Sequence, residues 1–308
     1  MILCCGEALI DMIPKTGEDG VDRFAPHAGG AVFNTAIGLG RLGVPTGFVS
    51  GVSRDLFGTV LTDALEASTV RSDLVVASDR PTTLAFVELN NGQARYTFYD
   101  ENTAGRMLEP EALPELPETA QALYFGGISL ISEPCADFYL NLALREAPRR
   151  VIVADPNIRT GFIKNEARYR ARLDQLIAVT DILKVSDEDL DWILPGPASL
   201  VEKTKEIRAK GPAIVIVTRG SEGATAMFGQ GDQVTAAARI VDVVDTVGAG
   251  DTFNSGFLAA FFKTGELEKQ NIDQISGEKI EAALSHGSHV ASITVSRAGA
   301  NPPWESEL

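Results

Sequence analysis

The sequence has no excess of positive charge and no long apolar run. Its 308 residues include 27 Lys and Arg against 42 Asp and Glu, a formal charge of −15. So acidic a chain lacks the electrostatic footprint of a nucleic-acid binder, because it repels phosphate backbones. An anionic ligand must then be held by local devices: backbone N–H groups and a few placed cations. No stretch reaches the roughly 18 apolar residues of a membrane span, so no membrane partner is expected. The opening Met-Ile-Leu-Cys-Cys-Gly-Glu has neither the basic start nor the length of a signal peptide. Cys4, Cys5 and Cys135 are odd in number and lack metal-ligand spacing; the adjacent pair reads as small core residues of a strand. A reducing, cytoplasmic setting is expected. His27, His286 and His289 form no triad. The last two share a helix face, yet without a third ligand they read as packed or exposed.

What is present is ordinary globular material, 44% apolar and 22% charged. Ile2–Cys5 reads as a buried strand, Ala8–Ile13 as an extended piece, and Val21–Ala25 as another after the polar turn 15–20. Gly29-Gly30 breaks the chain before a helix over Phe33–Leu42; a strand over Val44–Val49 and a helix over Leu56–Leu65 follow. Thr83–Leu89 and Ala94–Tyr99 alternate around Asn90-Asn91-Gly92, a hairpin signal. Beyond residue 120, short apolar runs at 123–125, 151–154, 182–185 and 214–217 are separated by helical stretches, which suits a parallel sheet covered on both faces. Helices over 250–263 and 279–293 close the chain. The expected fold is α/β, a doubly wound, mostly parallel sheet with helices on both faces. Residues 1–308 make one domain, and the early β segments, about 8–26 and 82–100, form a small covering sheet.

Gly38-Leu39-Gly40-Arg41-Leu42-Gly43 matches G-x-G-x-x-G letter for letter. A dinucleotide site needs that pattern after a strand and opening a helix. Here the glycines end a helix and Pro45 follows, so they read as a stop signal.

Residues 240–253 have the required order. An apolar strand over Ile240–Val244 is expected to run into Asp245-Thr246-Val247-Gly248-Ala249-Gly250-Asp251, then an apolar helix. Small residues at a strand-to-helix turn let backbone N–H groups approach an anion, and the helix dipole adds to the attraction. Asp251 in the first helical turn has two readings: complement to the dipole, or general base for a hydroxyl beside the anion.

Asp245–Phe253 resembles the C-terminal signature of the ribokinase-like (PfkB) family of carbohydrate kinases. Gly29-Gly30-Ala31-Val32-Phe33-Asn34-Thr35-Ala36 resembles its N-terminal signature, and Gly6-Glu7-Ala8-Leu9-Ile10-Asp11 its opening strand. The resemblance spans essentially the whole chain and implies a ribokinase-like fold with a β lid, ATP and Mg²⁺. It makes Asp251 the catalytic base, and the N–H groups of Gly248, Ala249, Gly250 and Asp251 the anion hole. Asp11, Gly30 and Asn34 would hold sugar hydroxyls, and Arg159 of Asp155-Pro156-Asn157-Ile158-Arg159 would face phosphate. Thr218, Gly220, Ser221 and Gly223 resemble the loop at the nucleotide phosphates. The chain departs from the family's N-x-x-E: Ser186 replaces Asn and Asp189 replaces Glu. Ser186 is then expected at a phosphate or water, and Asp189 on Mg²⁺ through water. Asp245 and Thr246 fall where many relatives hold a monovalent cation, K⁺. Helix 279–293 would line the adenine through small residues that also suit helix packing.

The run Arg95–Asp100 resembles the fructokinase-like branch, with Tyr96 and Phe98 on one strand face toward a sugar, or else packing the lid. Fructose ranks first as acceptor, and 2-keto-3-deoxygluconate second because Arg95 and Arg106 offer cations for a carboxylate. Another hexose or a nucleoside is third. A non-catalytic sugar or nucleotide sensor is the alternative from another class, and Asp251 argues against it. Exposed lid edges invite a homodimer by strand pairing, with a monomer as the alternative.

Overall fold

Ile2–Cys5 (β1) alternates between two hydrophobic clusters: Ile2 and Cys4 face one, Leu3 and Cys5 the other. The computed structural model describes residues 1–17, 19–90 and 93–308. After β1 come β2 (Leu9–Thr16), β3 (Asp22–Gly29), α1 (Ala31–Arg41), β4 (Thr46–Val49) and β5 (Gly51–Ser53). Then follow α2 (Leu56–Ala67), β6 (Val70–Arg71), β7 (Val76–Ser78), β8 (Leu84–Asn90) and β9 (Gln93–Tyr99). From β10 (Ala122–Gly126) the chain alternates through α3 (Cys135–Glu146), β11 (Val151–Asp155), α4 (Glu166–Val179) and β12 (Ile182–Ser186). Next are α5 (Asp187–Ile193), α6 (Leu200–Arg208) and β13 (Ile214–Thr218). Two short strands, β14 (Ala224–Phe228) and β15 (Asp232–Ala236), precede α7 (Ala249–Lys263) and α8 (Gly277–Val295).

Among the described residues, nine strands join in the order β15-β14-β13-β12-β11-β10-β1-β4-β6. Every pairing from β6 to β13 is parallel; β14 and β15 add an antiparallel edge. One face packs on α1, α2, α7 and α8, the other on α3 to α6. This is the doubly wound arrangement that the apolar runs imply. The winding reverses between β1 and β10. The carboxyl ends of strands at such a switch point diverge and leave a crevice where ligands bind.

A second sheet, in the order β3-β2-β8-β9, is formed by the early segments. β2 extends to Thr16 and β3 to Gly29, beyond the limits read from the sequence. β8 and β9 pair antiparallel with Asn90 opposite Gln93; the expected turn residues Asn91-Gly92 lie outside the described residues, as does the side chain of Arg95.

The strand expected over Ile240–Val244 does not form. This segment is irregular, and Ile240, Val243 and Val244 are exposed. The backbone N–H groups of Val244 and Asp245 instead meet Val295 O, at the end of α8, at 2.8 and 3.2 Å. The G-x-G-x-x-G glycines have packing roles. A Cβ on Gly38 would lie 2.3 Å from Ser255 Oγ and one on Gly40 2.1 Å from Ser68 O, while Gly43 turns the chain at φ 76°.

Candidate active site

At the carboxyl end of β1 and β10, under the small sheet, lies a cavity of about 330 Å³. Its wall includes Asp11 from β2, Gly30 and Asn34 from the start of α1, and Tyr96 and Phe98 from β9. Arg159 and the turn Thr246–Asp251 complete the expected set. The covering sheet is fastened by a small apolar cluster of Leu9, Ala85 and Ile128, against which Tyr96 and Phe98 pack. Phe98 also meets Phe162 edge-on at 4.2 Å.

The turn before α7 depends on Gly248, which sits at φ 76° as N-cap. A Cβ there would lie 2.6 Å from that of Ala300. Asp245 closes the turn from outside: Oδ1 accepts Val247 N–H at 3.0 Å, and Oδ2 accepts Gly299 N–H at 2.9 Å. Ala249 N–H bends back to Thr246 O at 3.2 Å. The first-turn N–H groups of a helix have no intrahelical acceptor, so Gly250 and Asp251 present theirs toward the cavity end of the dipole.

Asp251 is buried, and burial pushes its carboxyl up to about 7. Asn34 opposes this by donating from Nδ2 to Asp251 Oδ2 at 2.9 Å; Lys184 also favours the charged form, while Asp155 and Glu7 disfavour it. Across the cavity, burial raises Asp11 to about 6. Asn34 therefore touches the expected base directly. Helices α1 and α7 are locked behind it, with Thr35 Oγ1 donating to Asp251 O and Ser255 Oγ to Thr35 O.

The expected nucleotide residues lie outside this cavity. Ser186 and Thr218 are register partners at the carboxyl ends of β12 and β13, with Gly220 and Ser221 exposed in the next turn. Gly223, at φ 94°, lets the chain pass Ala236 O, which a Cβ would approach to 2.2 Å. Ser186 and Asp189 form a capping box for α5. The Asp189 carboxylate accepts Ser186 N–H at 3.4 Å and Ile158 N–H at 3.0 Å. Among the described residues, no group of three or more His, Cys, Asp or Glu side chains is placed to hold a metal ion. On α8, Gly287 and Ala283 are buried and serve packing: a Cβ on Gly287 would meet Phe253 O at 2.9 Å.

Two charged residues in the wall carried no assignment from the sequence. Glu7 holds both rims of the switch point: Oε1 accepts Ala31 N–H at 2.9 Å, and Oε2 accepts Ser129 N–H at 3.3 Å. Lys184 reaches Asp155 Oδ2 at 3.0 Å. The available signal was a lysine inside the apolar run Ile182-Leu183-Lys184-Val185.

Known proteins place this arrangement. The chain is 48% identical to a fructokinase of Rhizobium leguminosarum bv. trifolii over 93% of its own length and 86% of that protein. It is 31% identical to a probable chloroplastic fructokinase of Arabidopsis thaliana over 98% of its length and 79% of that protein. The crystal structure of Xylella fastidiosa fructokinase with bound ATP superposes with a TM-score of 0.86 at 26% identity, covering 97% of this chain and 93% of that one. Residues 1–307 match the model of the pfkB family carbohydrate kinases. With a carboxylate beside a glycine-rich helix start at the switch point of a doubly wound sheet, the chain belongs to the pfkB family of carbohydrate kinases.

Proposed function

We propose that this carbohydrate kinase transfers the γ-phosphoryl group of MgATP to a hydroxyl of fructose. The observation that carries the reading is Asp251: a buried carboxylate in the first turn of α7, facing a covered cavity beside free helix-start N–H groups. The acceptor hydroxyl gives its proton to Asp251 as its oxygen bonds to γ-phosphorus. The bond from phosphorus to the bridging oxygen breaks, and its electron pair leaves with ADP. Phosphoryl transfer needs chiefly position and charge neutralisation, which the Gly248–Asp251 turn supplies. The identity with fructokinases favours fructose over 2-keto-3-deoxygluconate.

Gly30 and Asp11 would hold sugar hydroxyls, and Asn34 would serve the sugar and the base together. Tyr96 and Phe98 would cover the ring and exclude water. Arg159, exposed at the rim with no carboxylate partner among the described residues, would meet phosphate. Ser186, Thr218, Gly220, Ser221 and Gly223 continue along the sheet edge as the nucleotide side. Mg²⁺ enters with ATP. Both Asp189 oxygens serve backbone N–H groups, so this donor set suits an ion held through phosphates and water. A monovalent cation at Asp245 and Thr246 would add to the closure that Asp245 gives the turn. Homodimerisation through the small sheet fits its outer face, where Phe24, Phe86 and Tyr99 meet edge to face at 5.0 and 5.5 Å.

A coupled ADP-release assay across fructose, ribose, 2-keto-3-deoxygluconate, adenosine and glucose tests the reading. Fructose should give the largest kcat/KM; a folded, ATP-binding protein inert toward every sugar would overturn it.

A further inference from the structure

We propose that Lys184 is the cation that meets the transferring phosphoryl group, aimed at the start of α7 by Asp155 and Asn254. The inference rests on the kinase reading above and names a residue of that site.

Lys184 lines the cavity, its side chain only 9% exposed. Nζ lies 3.0 Å from Asp155 Oδ2, and that oxygen also accepts Asn254 Nδ2 at 2.7 Å. Asn254 projects from α7 one turn after Asp251, and its Nδ2 also reaches the Tyr124 hydroxyl at 2.9 Å. The ammonium is thereby tied to the helix that carries the base. Nζ also sits beside Gly250, where a Cβ would approach it to 3.3 Å. An anion seated on the first-turn N–H groups of α7 therefore lies against this ammonium.

The charges of the cavity need such a group. Glu7, Asp11 and Asp251 are carboxylates, and the other cation of the wall, Arg159, lies exposed at the rim. A triphosphate approaching three carboxylates is repelled unless a cation stands between them. Structural service alone accounts poorly for the pair. A buried ion pair stabilises a fold little better than well-packed apolar residues, and β12 is otherwise apolar at this depth. Asp155 Oδ1 is buried without a hydrogen-bond partner among the described residues, so the pair is not arranged for full satisfaction within the protein. In transfer, Lys184 neither gives nor takes a proton. It donates hydrogen bonds to non-bridging oxygens while the proton passes to Asp251 and the electron pair to ADP.

Asp251 is faced by Asn34 from α1, Asp155 from β11, Lys184 from β12 and Glu7 after β1. Asp11 and Arg159 lie across the cavity. Lys184 favours its ionised form, so removing it moves the acid limb of turnover to higher pH.

The test compares Lys184→Met and Lys184→Arg with the full wild-type chain. Calorimetric titration with MgATP and MgADP, without sugar, should show the Met variant losing ATP affinity about 10-fold and ADP affinity less than about 3-fold, with Arg retaining the preference. With fructose, the Met variant should lose about 100-fold in kcat with KM for fructose within about 3-fold, and its acid limb should shift upward. Equal losses for ATP and ADP, or no loss, would overturn the proposal. Should the Met variant fail to fold, acetylation of Lys184 in wild type, read by peptide mass spectrometry, decides. Protection by ATP beyond that by ADP supports the assignment, and equal labelling sinks it. A wild type that binds ATP but leaves fructose untouched would refute the acceptor and leave the nucleotide comparison to judge Lys184.

Discussion

Asn34 Nδ2 donates to Oδ2 of Asp251 at 2.9 Å, joining the start of α1 to the start of α7 across 217 positions of sequence. The bond favours the ionised carboxylate, while burial pushes that carboxyl up to about 7. Replacing Asn34 with Ala removes the downward influence, so Asp251 holds its proton to higher pH. Turnover of fructose at pH 7 should fall about 10-fold and recover part of the deficit by pH 9. A deficit uniform across the pH range would place Asn34 on the sugar alone.

The same carboxylate sets function against stability. Folded Asp251 keeps its proton to about pH 7, while its unfolded reference is 3.8, so folding is increasingly disfavoured as pH rises between them and the cost is complete above. Asp251→Asn should lower turnover about 1,000-fold or more, with ATP still bound. Differential scanning calorimetry at pH 8 should show a Tm higher by about 2 °C or more. Near-wild-type turnover in that variant would refute the base.

How far the sequence reveals this site differs by element. β1 and β10 to β13 were legible because each is a continuous apolar run, a pattern that few structures besides a sheet covered on both faces produce. Ile240–Val244 has the same β-branched texture yet is exposed coil. Strand preference records side-chain shape, whereas a strand also needs backbone pairing, and here the N–H groups of Val244 and Asp245 go to Val295 O at the end of α8. Asp251, Asp11 and Gly30 stood out through local pattern and family resemblance. Lys184 and Glu7 did not, since their meaning lies in partners distant in sequence: Asp155 on the adjacent strand, and the N–H groups of Ala31 and Ser129. Asn34 was expected on the sugar; its bond to Asp251 needs the packing of α1 on α7.

Gly29 guards the carboxylate expected to bind the sugar. A Cβ at this position would lie 2.2 Å from Asp11 Oδ2, so Gly29→Ala must displace that group. Asp11 stands well away from the phosphoryl turn in sequence, on β2 of the covering sheet. Steady-state kinetics should show KM for fructose rising about 10-fold, with KM for ATP unchanged within about 2-fold. Equal increases in both constants would mean that the substitution disturbs the cavity as a whole.

Gly248 and Gly250 separate two demands on the proposed anion turn. At Gly248 the backbone is left-handed, φ 76°, and an added methyl would come 2.6 Å from the Cβ of Ala300. Alanine there bears about 1–2 kcal/mol of backbone strain, and the collision adds to it. Gly248→Ala should therefore unfold several degrees below wild type and lose most of its turnover. Gly250 lies within α7, and its added methyl would come 3.3 Å from Lys184 Nζ, the far end of a flexible side chain. Gly250→Ala should melt within about 2 °C of wild type, since alanine favours a helix interior by up to about 1 kcal/mol over glycine. Its turnover should still drop about 10-fold or more, because the methyl occupies space between the helix-start N–H groups and the Lys184 ammonium, where the phosphoryl group is proposed to sit. Thermal melts beside kcat for both variants check this. If Gly250→Ala kept full activity, the phosphoryl group would have to sit elsewhere on the helix start.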